Sequence, residues 1–263
     1  VDNGSTEPLS WRFLAERGMY FHRTVRIHHD PIMGNVSARN KGADLARGKY
    51  LFFSDAHMGY RIGAFQKMVE TLEKHGGIVH PSVQWMGGYE PSERSYQYSL
   101  KMGEKIWGTW NRLKVADSPF YIPVCGHCCL GVKREEFIKL GGYHPSFRCY
   151  GGGEVYLDMK WWLFGSTVVC DPQAIGYHLA AGRGYSYHHD DYLHNVLNIA
   201  YALGMDDWRE RAYLNWLRHG KKEVLDAIMA RGEVEMASDR EFIARTRIKS
   251  FNELIVERPW DQM

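Results

Sequence analysis

Apolar positions along the chain follow two periods, and the change from one to the other outlines its elements. Residues 50–54, Tyr-Leu-Phe-Phe-Ser, are a short aromatic and aliphatic run after a Gly-Lys turn, which predicts a buried strand. Residues 20–28 alternate enough for another strand, and 78–83 and 167–170 are further short apolar runs of strand type. Helical spacing appears at 7–17, with Leu9, Phe13 and Leu14 on one face, and at 63–74, closed by His75-Gly76-Gly77. It appears again at 36–47, where Asn35 suits an N-cap and Gly48 a stop. Residues 85–117 are rich in Gly, Tyr and Trp, and their middle, 96–107, reads as helical. Residues 120–132 are apolar and strand-like, and 134–140 form a helix leading into Gly141-Gly142-Tyr143. From 192 to 231 the period is helical throughout, punctuated by Gly204, Gly220 and Gly232, and 238–249 reads as one more helix. Strands alternating with helices predict an α/β domain over 1–191. Residues 192–263 form a helical appendage, docked on that core or making an oligomer contact.

Composition narrows the class without defining it. At 263 residues the chain can bury one large core or two modest ones, and 44% hydrophobic with 24% charged residues is ordinary for a soluble enzyme. A net charge of +2 is too mild to argue for nucleic acid or an acidic membrane. Aromatics at 14% can line carbohydrate or base sites, but core filling is the favoured reading. No run approaches the roughly 20 apolar residues of a membrane span, and no leader pattern opens the sequence. Five cysteines are an odd count without disulfide-like spacing, which suits a reducing cytoplasm.

Candidate chemistry gathers where the 50–54 strand ends, in Asp55-Ala56-His57. Residues two apart on extended backbone project to the same side, so both side chains can ligate one cation at a strand end. Arg39 and Asn40 fall in the first turn of the 36–47 helix, where backbone N–H groups and cations suit anionic ligands. Gly151-Gly-Gly-Glu154 sets a carboxylate at a helix start. Three other clusters have simpler readings. His28-His29-Asp30 before Pro31 reads as a solvated strand end, and His188-His189-Asp190-Asp191 as a helix cap in contact with ligand. Cys125-Gly-His-Cys128 has redox spelling, but strand-like residues follow it, so the cysteines read as structural.

In order, these motifs resemble a known family. The chain opens Val1-Asp2-Asn3-Gly4-Ser5-Thr6. There follow Gly34-x-x-x-Ala38-Arg39-Asn40-x-Gly42-x-x-x-Ala46-x-Gly48-x-Tyr50-Leu51-x-Phe53 and then Asp55-x-His57. The whole resembles the nucleotide-sugar domain of family-2-like glycosyltransferases with the GT-A fold. The Asp-x-His form is similar to that of the polypeptide N-acetylgalactosaminyltransferases. The resemblance covers about residues 1–185 and implies a Rossmann-like mixed sheet flanked by helices, with a first strand missing ahead of Val1. It makes Asp55, His57 and His178 the ligands of Mn2+ (or Mg2+), with His188 and His189 in reserve for the third. It places Asp2 and Arg39 on the nucleoside of a UDP-sugar, with Asn3, Asn40, Ser54, Asp55 and Tyr185 completing the donor contacts. Arg183 would close onto the diphosphate within a lid at 183–191.

The segment 150–155 is similar to the family's Trp-Gly-Gly-Glu-Asn, with Tyr150 for the Trp and Val155 for the Asn. Inverting relatives put a general base next to that Glu. Here the position is apolar Val155, with Asp158 one turn on as a substitute, so transfer with retention is expected. The catalytic set is then Glu154, Asp158 and Arg183. The acceptor is open: a glycan, a peptide hydroxyl, a small molecule or a modified base in viral DNA. A metal-dependent phosphoesterase would want bridging carboxylates that the sequence does not supply. A non-catalytic nucleotide-sugar-binding module is the other alternative.

Overall fold

A computed structural model describes residues 34–86, 96–102, 106–112, 116–179 and 186–261, with backbone alone over 96–102 and 106–112. The helix expected at 7–17, the strand at 20–28 and the His28-His29-Asp30 cluster lie outside these residues. In chain order the elements are α1 (Asn35–Leu45), β1 (Tyr50–Ser54), β2 (Met58–Tyr60), α2 (Ala64–His75), β3 (Ile78–Met86), β4 (Tyr96–Met102), β5 (Ile106–Arg112), β6 (Phe120–Tyr121) and β7 (Cys129–Lys133). There follow α3 (Arg134–Lys139), α4 (Gly153–Leu163), β8 (Val168–Leu179), α5 (His189–Ala202), α6 (Asp206–Leu217), α7 (Lys222–Thr246) and α8 (Phe251–Glu257).

The strands form one mixed sheet. β1 runs antiparallel to β7, with Tyr50 opposite Lys133 and Ser54 opposite Cys129. β7 is also antiparallel to the start of β3, and β3 runs parallel to β8. β2 and β6 add to β8, and β4 joins β3 and carries β5. Alternation along β1 feeds two cores. Leu51 and Phe53 pack into the large core with α4, while Tyr50 and Phe52 face a smaller one with Met68 and Leu72 of α2. Opposite Phe52 stands Gly131, where a Cβ would come within 2.8 Å of the ring, so the smaller core needs glycine there.

Helix α4 is buried from Val155 to Leu163, the pattern of a helix enclosed on all sides. Helices α5 to α8 supply the C-terminal layer, and α5, α7 and α8 contribute Ile199, Met236, Ile243 and Phe251 to the same core as α4.

Several expectations need correction. Residues 96–102 and 106–112 are paired strands, not helix; Tyr96-Gln-Tyr-Ser-Leu-Lys-Met alternates with period two, and composition had masked that period. The N-cap of α1 is Gly34, at φ 83°, which puts Asn35 at the first helical position. The strand expected at 167–170 continues to Leu179. Its Asp171-Pro-Gln is a bulge, in which Asp171 Oδ1 accepts from Gln173 N (2.9 Å) and Ala174 N (3.3 Å). Gly232 does not end a helix, and the separate helix expected at 238–249 is the second half of α7. The glycine is there for close approach, since a Cβ would sit 1.8 Å from Asn198 Cγ on α5. Residues 189–191, expected in a lid, are the first turn of α5.

His80 on β3 is fully buried, and its Nδ1 pairs with Cys129 O at 2.7 Å. Burial drives its pKa down to about 4. An unfolded chain binds a proton at His80 below the free-imidazole pKa, and the folded chain does not until about pH 4. Stability is therefore full above the unfolded pKa and falls as pH drops through this window. The loss at pH 5 is about 2 kcal/mol from this residue. Urea unfolding at pH 7 and pH 5 should show it, and His80→Gln should lose that part of the pH dependence. An equally steep dependence in the variant counts against the assignment.

Candidate functional site

Three chain segments meet where β1 ends. The last rung of the β1–β7 ladder is Asp55 N–H donating to Cys128 O at 2.8 Å, which fixes the backbone of the aspartate. The chain turns through Ala56 and His57 into β2, whose Met58 pairs with His178 of β8. Leu179 N donates to His57 O at 3.1 Å and closes that pairing. One ligand atom each from Asp55, His57 and His178 thereby lie within 4.8 Å of one another. The two imidazoles meet edge to face with centroids 4.6 Å apart, and His178 Nε2 lies 3.9 Å from Asp55 Oδ2. Burial, and then the neighbouring His57, push the His178 pKa below the ordinary imidazole value. The ring is thus held neutral with a lone pair to offer. One carboxylate oxygen and two imidazole nitrogens at a partly exposed strand end fit a divalent transition ion better than calcium or magnesium.

Arg39 of α1, expected on the nucleoside, is largely buried beside Asp55. Its guanidinium donates to His127 O at 2.6 Å and to Asp55 Oδ1 at 3.3 Å. Burial works against its charge, and Tyr143, Asp55 and Glu154 more than offset that, so its pKa rises. Asn40, expected on the donor, clamps the chain after α3 instead: Nδ2 donates to Tyr143 O at 2.6 Å, and Oδ1 accepts from Tyr143 N at 3.1 Å. Ser54 is exposed at the end of β1, and its Oγ lies 2.5 Å from the Tyr60 hydroxyl. Asp2, Asn3, Arg183 and Tyr185 lie outside the described residues.

Glu154 occupies the first turn of α4, after Gly152 at φ 75°, and is partly exposed. Asp158 on the same helix, expected as the substitute base, is wholly buried. Its Oδ2 accepts Cys125 N at 2.6 Å and its Oδ1 pairs with His127 Nε2 at 3.1 Å. Burial pushes its pKa upward. His188 is the N-cap of α5, without a side-chain cap bond, and Asp190 and Asp191 fill the first turn. Among the described residues, His188 and His189 join no metal-type cluster.

Sequence reasoning missed His127, Tyr143 and Asn195. Asn195 of α5 is buried and grips the loop ahead of Glu154: Oδ1 accepts Arg148 N at 2.8 Å, while Nδ2 donates to Tyr150 O at 2.9 Å and Gly151 O at 3.1 Å. The one signal available was that Asn195, with His194 and Asn198, interrupts the apolar spacing of Leu193, Val196, Leu197 and Ala200.

The sheet, the strand-end cluster and the flanking helices define a GT-A fold. The crystal structure of GalNAc-T7 with UDP, GalNAc and Mn2+ matches it at a TM-score of 0.70 and 18% identity, over 90% of this chain and 50% of that one. Residues 1–141 match the family described as Glycosyl transferase family 2, and the chain belongs to that family. It is 26% identical over 202 residues to the putative polypeptide N-acetylgalactosaminyltransferase 13 of Drosophila melanogaster, covering 69% of this chain and 36% of the relative. It is 27% identical over 197 residues to the polypeptide N-acetylgalactosaminyltransferase 9 of Macaca fascicularis, covering 70% and 32%. The chain thus spans about a third of the length of these curated relatives.

Replacing Asn195 with Ala strands several buried backbone groups at once. We expect Asn195→Ala to lower unfolding free energy by about 3 kcal/mol. Asn195→Asp, which sets a buried carboxylate oxygen against the Tyr150 and Gly151 carbonyls in place of the Nδ2 donor, should lose at least as much. A urea midpoint unchanged in Asn195→Ala would show that the loop is held by other contacts.

Proposed function

We propose that this chain is a metal-dependent glycosyltransferase that moves a sugar from a UDP-sugar to a hydroxyl acceptor, with retention of anomeric configuration. The observation that carries the proposal is the convergence of Asp55, His57 and His178 from two separate strand ends. Family membership supports the reaction class, and the matched GalNAc-T7 structure, which holds UDP and Mn2+, supports the donor and the ion.

Asp55, His57 and His178 would hold Mn2+, which when bound supplies Lewis-acid stabilisation of charge on the departing diphosphate. Arg39 braces Asp55 against the chain behind it. Asp2 and Arg39 on the nucleoside, Asn3 among the other donor contacts, and Arg183 and Tyr185 over the diphosphate and sugar remain the proposed donor contacts by resemblance. Glu154 orients donor sugar or acceptor from the rim of α4.

Retention is supported by what α4 does not offer. The residue beside Glu154 is Val155, which is buried, and the substitute base Asp158 is wholly buried and hydrogen-bonded. An inverting reaction needs a base open to the acceptor hydroxyl, and neither position supplies one. The departing phosphate then takes the acceptor's proton on the face it leaves.

Calorimetric titration of Mn2+ with UDP present tests the ligand set. Asp55→Ala, His57→Ala and His178→Ala should each weaken binding by about tenfold or more; unchanged affinity in all three refutes it. Slow Mn2+-dependent hydrolysis of UDP-sugars separates a transferase, which leaks to water, from a binding module, which does not.

The stereochemical claim has its own test. Product NMR from an α-linked donor should show an α-linked product. A β-linked product, with activity lost in Asp158→Asn and kept in Glu154→Gln, would sink the retaining mechanism.

A further inference from the structure

The described residues hold a second group of metal-type side chains, Cys125, His127 and Asp158, all buried behind the first. It is not arranged for a cation. Both ring nitrogens of His127 are engaged, Nε2 with Asp158 Oδ1 at 3.1 Å and Nδ1 with the Tyr143 hydroxyl at 2.8 Å. Burial also keeps the Cys125 thiol protonated by pushing its pKa well above the ordinary value.

The hydrogens in this group have a direction. An ionised carboxylate only accepts, and Asp158 already takes Cys125 N–H at 2.6 Å, so His127 presents Nε2–H to it. Nδ1 is then an acceptor, and the Tyr143 hydroxyl must donate to it. The Arg39 charge lies near the same phenol, and Tyr143 helps to raise the Arg39 pKa. Arg39 carries the chain outward, donating to His127 O at 2.6 Å and to Asp55 Oδ1 at 3.3 Å. The donors run inward from the Tyr143 hydroxyl through the His127 ring to the Asp158 carboxylate, and the backbone carbonyl of the same His127 accepts from Arg39. A guanidinium held between the His127 carbonyl and the Asp55 carboxylate has one orientation, which a flexible lysine would not reproduce.

We propose that Asp158, His127 and Tyr143 are positioning residues: a hydrogen-bond relay in which Asp158 and Tyr143 fix the His127 ring, the His127 carbonyl holds Arg39, and Arg39 holds Oδ1 of Asp55 and leaves Oδ2 facing His178 for a divalent cation. The proposal rests on Asp55 being a cation ligand, as in the transferase reading above. It gives Asp158 a task the sequence did not suggest: wholly buried, it acts on the site from behind, through His127 and Arg39.

The test titrates Mn2+ into the full chain with UDP present, and reads histidine ring tautomers by 15N NMR. Tyr143→Phe keeps the ring and its packing and removes only the hydroxyl link. It should weaken Mn2+ binding by about tenfold, as should Arg39→Lys, and the double variant should be no weaker than the worse single one. Asp158→Asn should turn His127 from the Nε2–H to the Nδ1–H tautomer with a similar loss of affinity. If Tyr143→Phe binds Mn2+ as tightly as the parent while Asp55→Ala does not bind it, the relay is overturned and the transferase reading stands. Additive losses in the double variant, or an unchanged His127 tautomer in Asp158→Asn, overturn the relay as well. If Asp55→Ala binds Mn2+ like the parent, the cation site itself is misassigned and the relay falls with it.

Discussion

Everything at the site depends on the pairing of β1 with β7. Five residue pairs fix the register, from Tyr50–Lys133 to Ser54–Cys129. A slip of one residue would turn Leu51 and Phe53 out of the large core and set Phe52 against a residue other than Gly131. The hydrophobic pattern therefore excludes the slip, and the consequence is chemical. The rung after the ladder delivers Asp55 to the strand end, and the segment before β7 delivers His127 beside it. β3 hydrogen-bonds to both β7 and β8, so the same sheet also sets where His178 arrives. A cation site from residues 123 positions apart in sequence, Asp55 and His178, is in this sense a product of strand register.

The second constraint is charge compensation around α4. Lys160 is buried, donates to the Tyr156 hydroxyl at 2.9 Å and lies 3.6 Å from Asp239 of α7. Burial lowers its pKa, and the Asp239 carboxylate works against that. Arg148, in the loop ahead of α4, pairs with Glu235 of α7 at 2.6 Å, and His194 of α5 reaches the same carboxylate at 2.8 Å. Removing Asp239 would leave the buried Lys160 charge without compensation and costs several kcal/mol, whereas the Arg148–Glu235 pair is about a third exposed and screened by water. The helices after β8 thus supply the countercharges for the helix and loop that carry Glu154. They are tied to the site by electrostatics as well as by packing.

What was legible in the sequence follows from how local each signal is. The strand at 50–54 was legible from its apolar run, and the start of the helix carrying Glu154 from the glycines and carboxylate that open it; both are found there. Errors came where composition competed with period. Trp, Tyr and Gly drew attention away from clean alternation at 96–102, and Gly232 read as punctuation when it serves a crossing with Asn198. The Ser250–Glu253 capping box of α8 was present in the sequence and passed over. The inward turn of Arg39 and the burial of Asp158 were not legible at all. Each depends on a partner about 90 or 30 residues away, His127 for both, and nothing local names it.

The glycines ahead of Glu154 show how function-like spelling can have a packing cause. Gly-rich turns before a helix invite a phosphate reading, yet each glycine here answers to a neighbouring side chain or a dihedral. A Cβ on Gly151 would stand 2.5 Å from the Tyr192 ring, and one on Gly153 would stand 2.8 Å from Val36. Gly152, at φ 75°, occupies the left-handed region that admits glycine at least cost. Tyr192 itself belongs to a group of rings with Tyr187, His189 and Trp216, so the turn is pressed between that group and α1. Close packing on both sides leaves the start of α4 little room to shift. Glu154 is consequently presented at a fixed height beside Arg39, whose charge it supports. Aromatic content that composition alone assigned to the core thus helps to define the rim of the site.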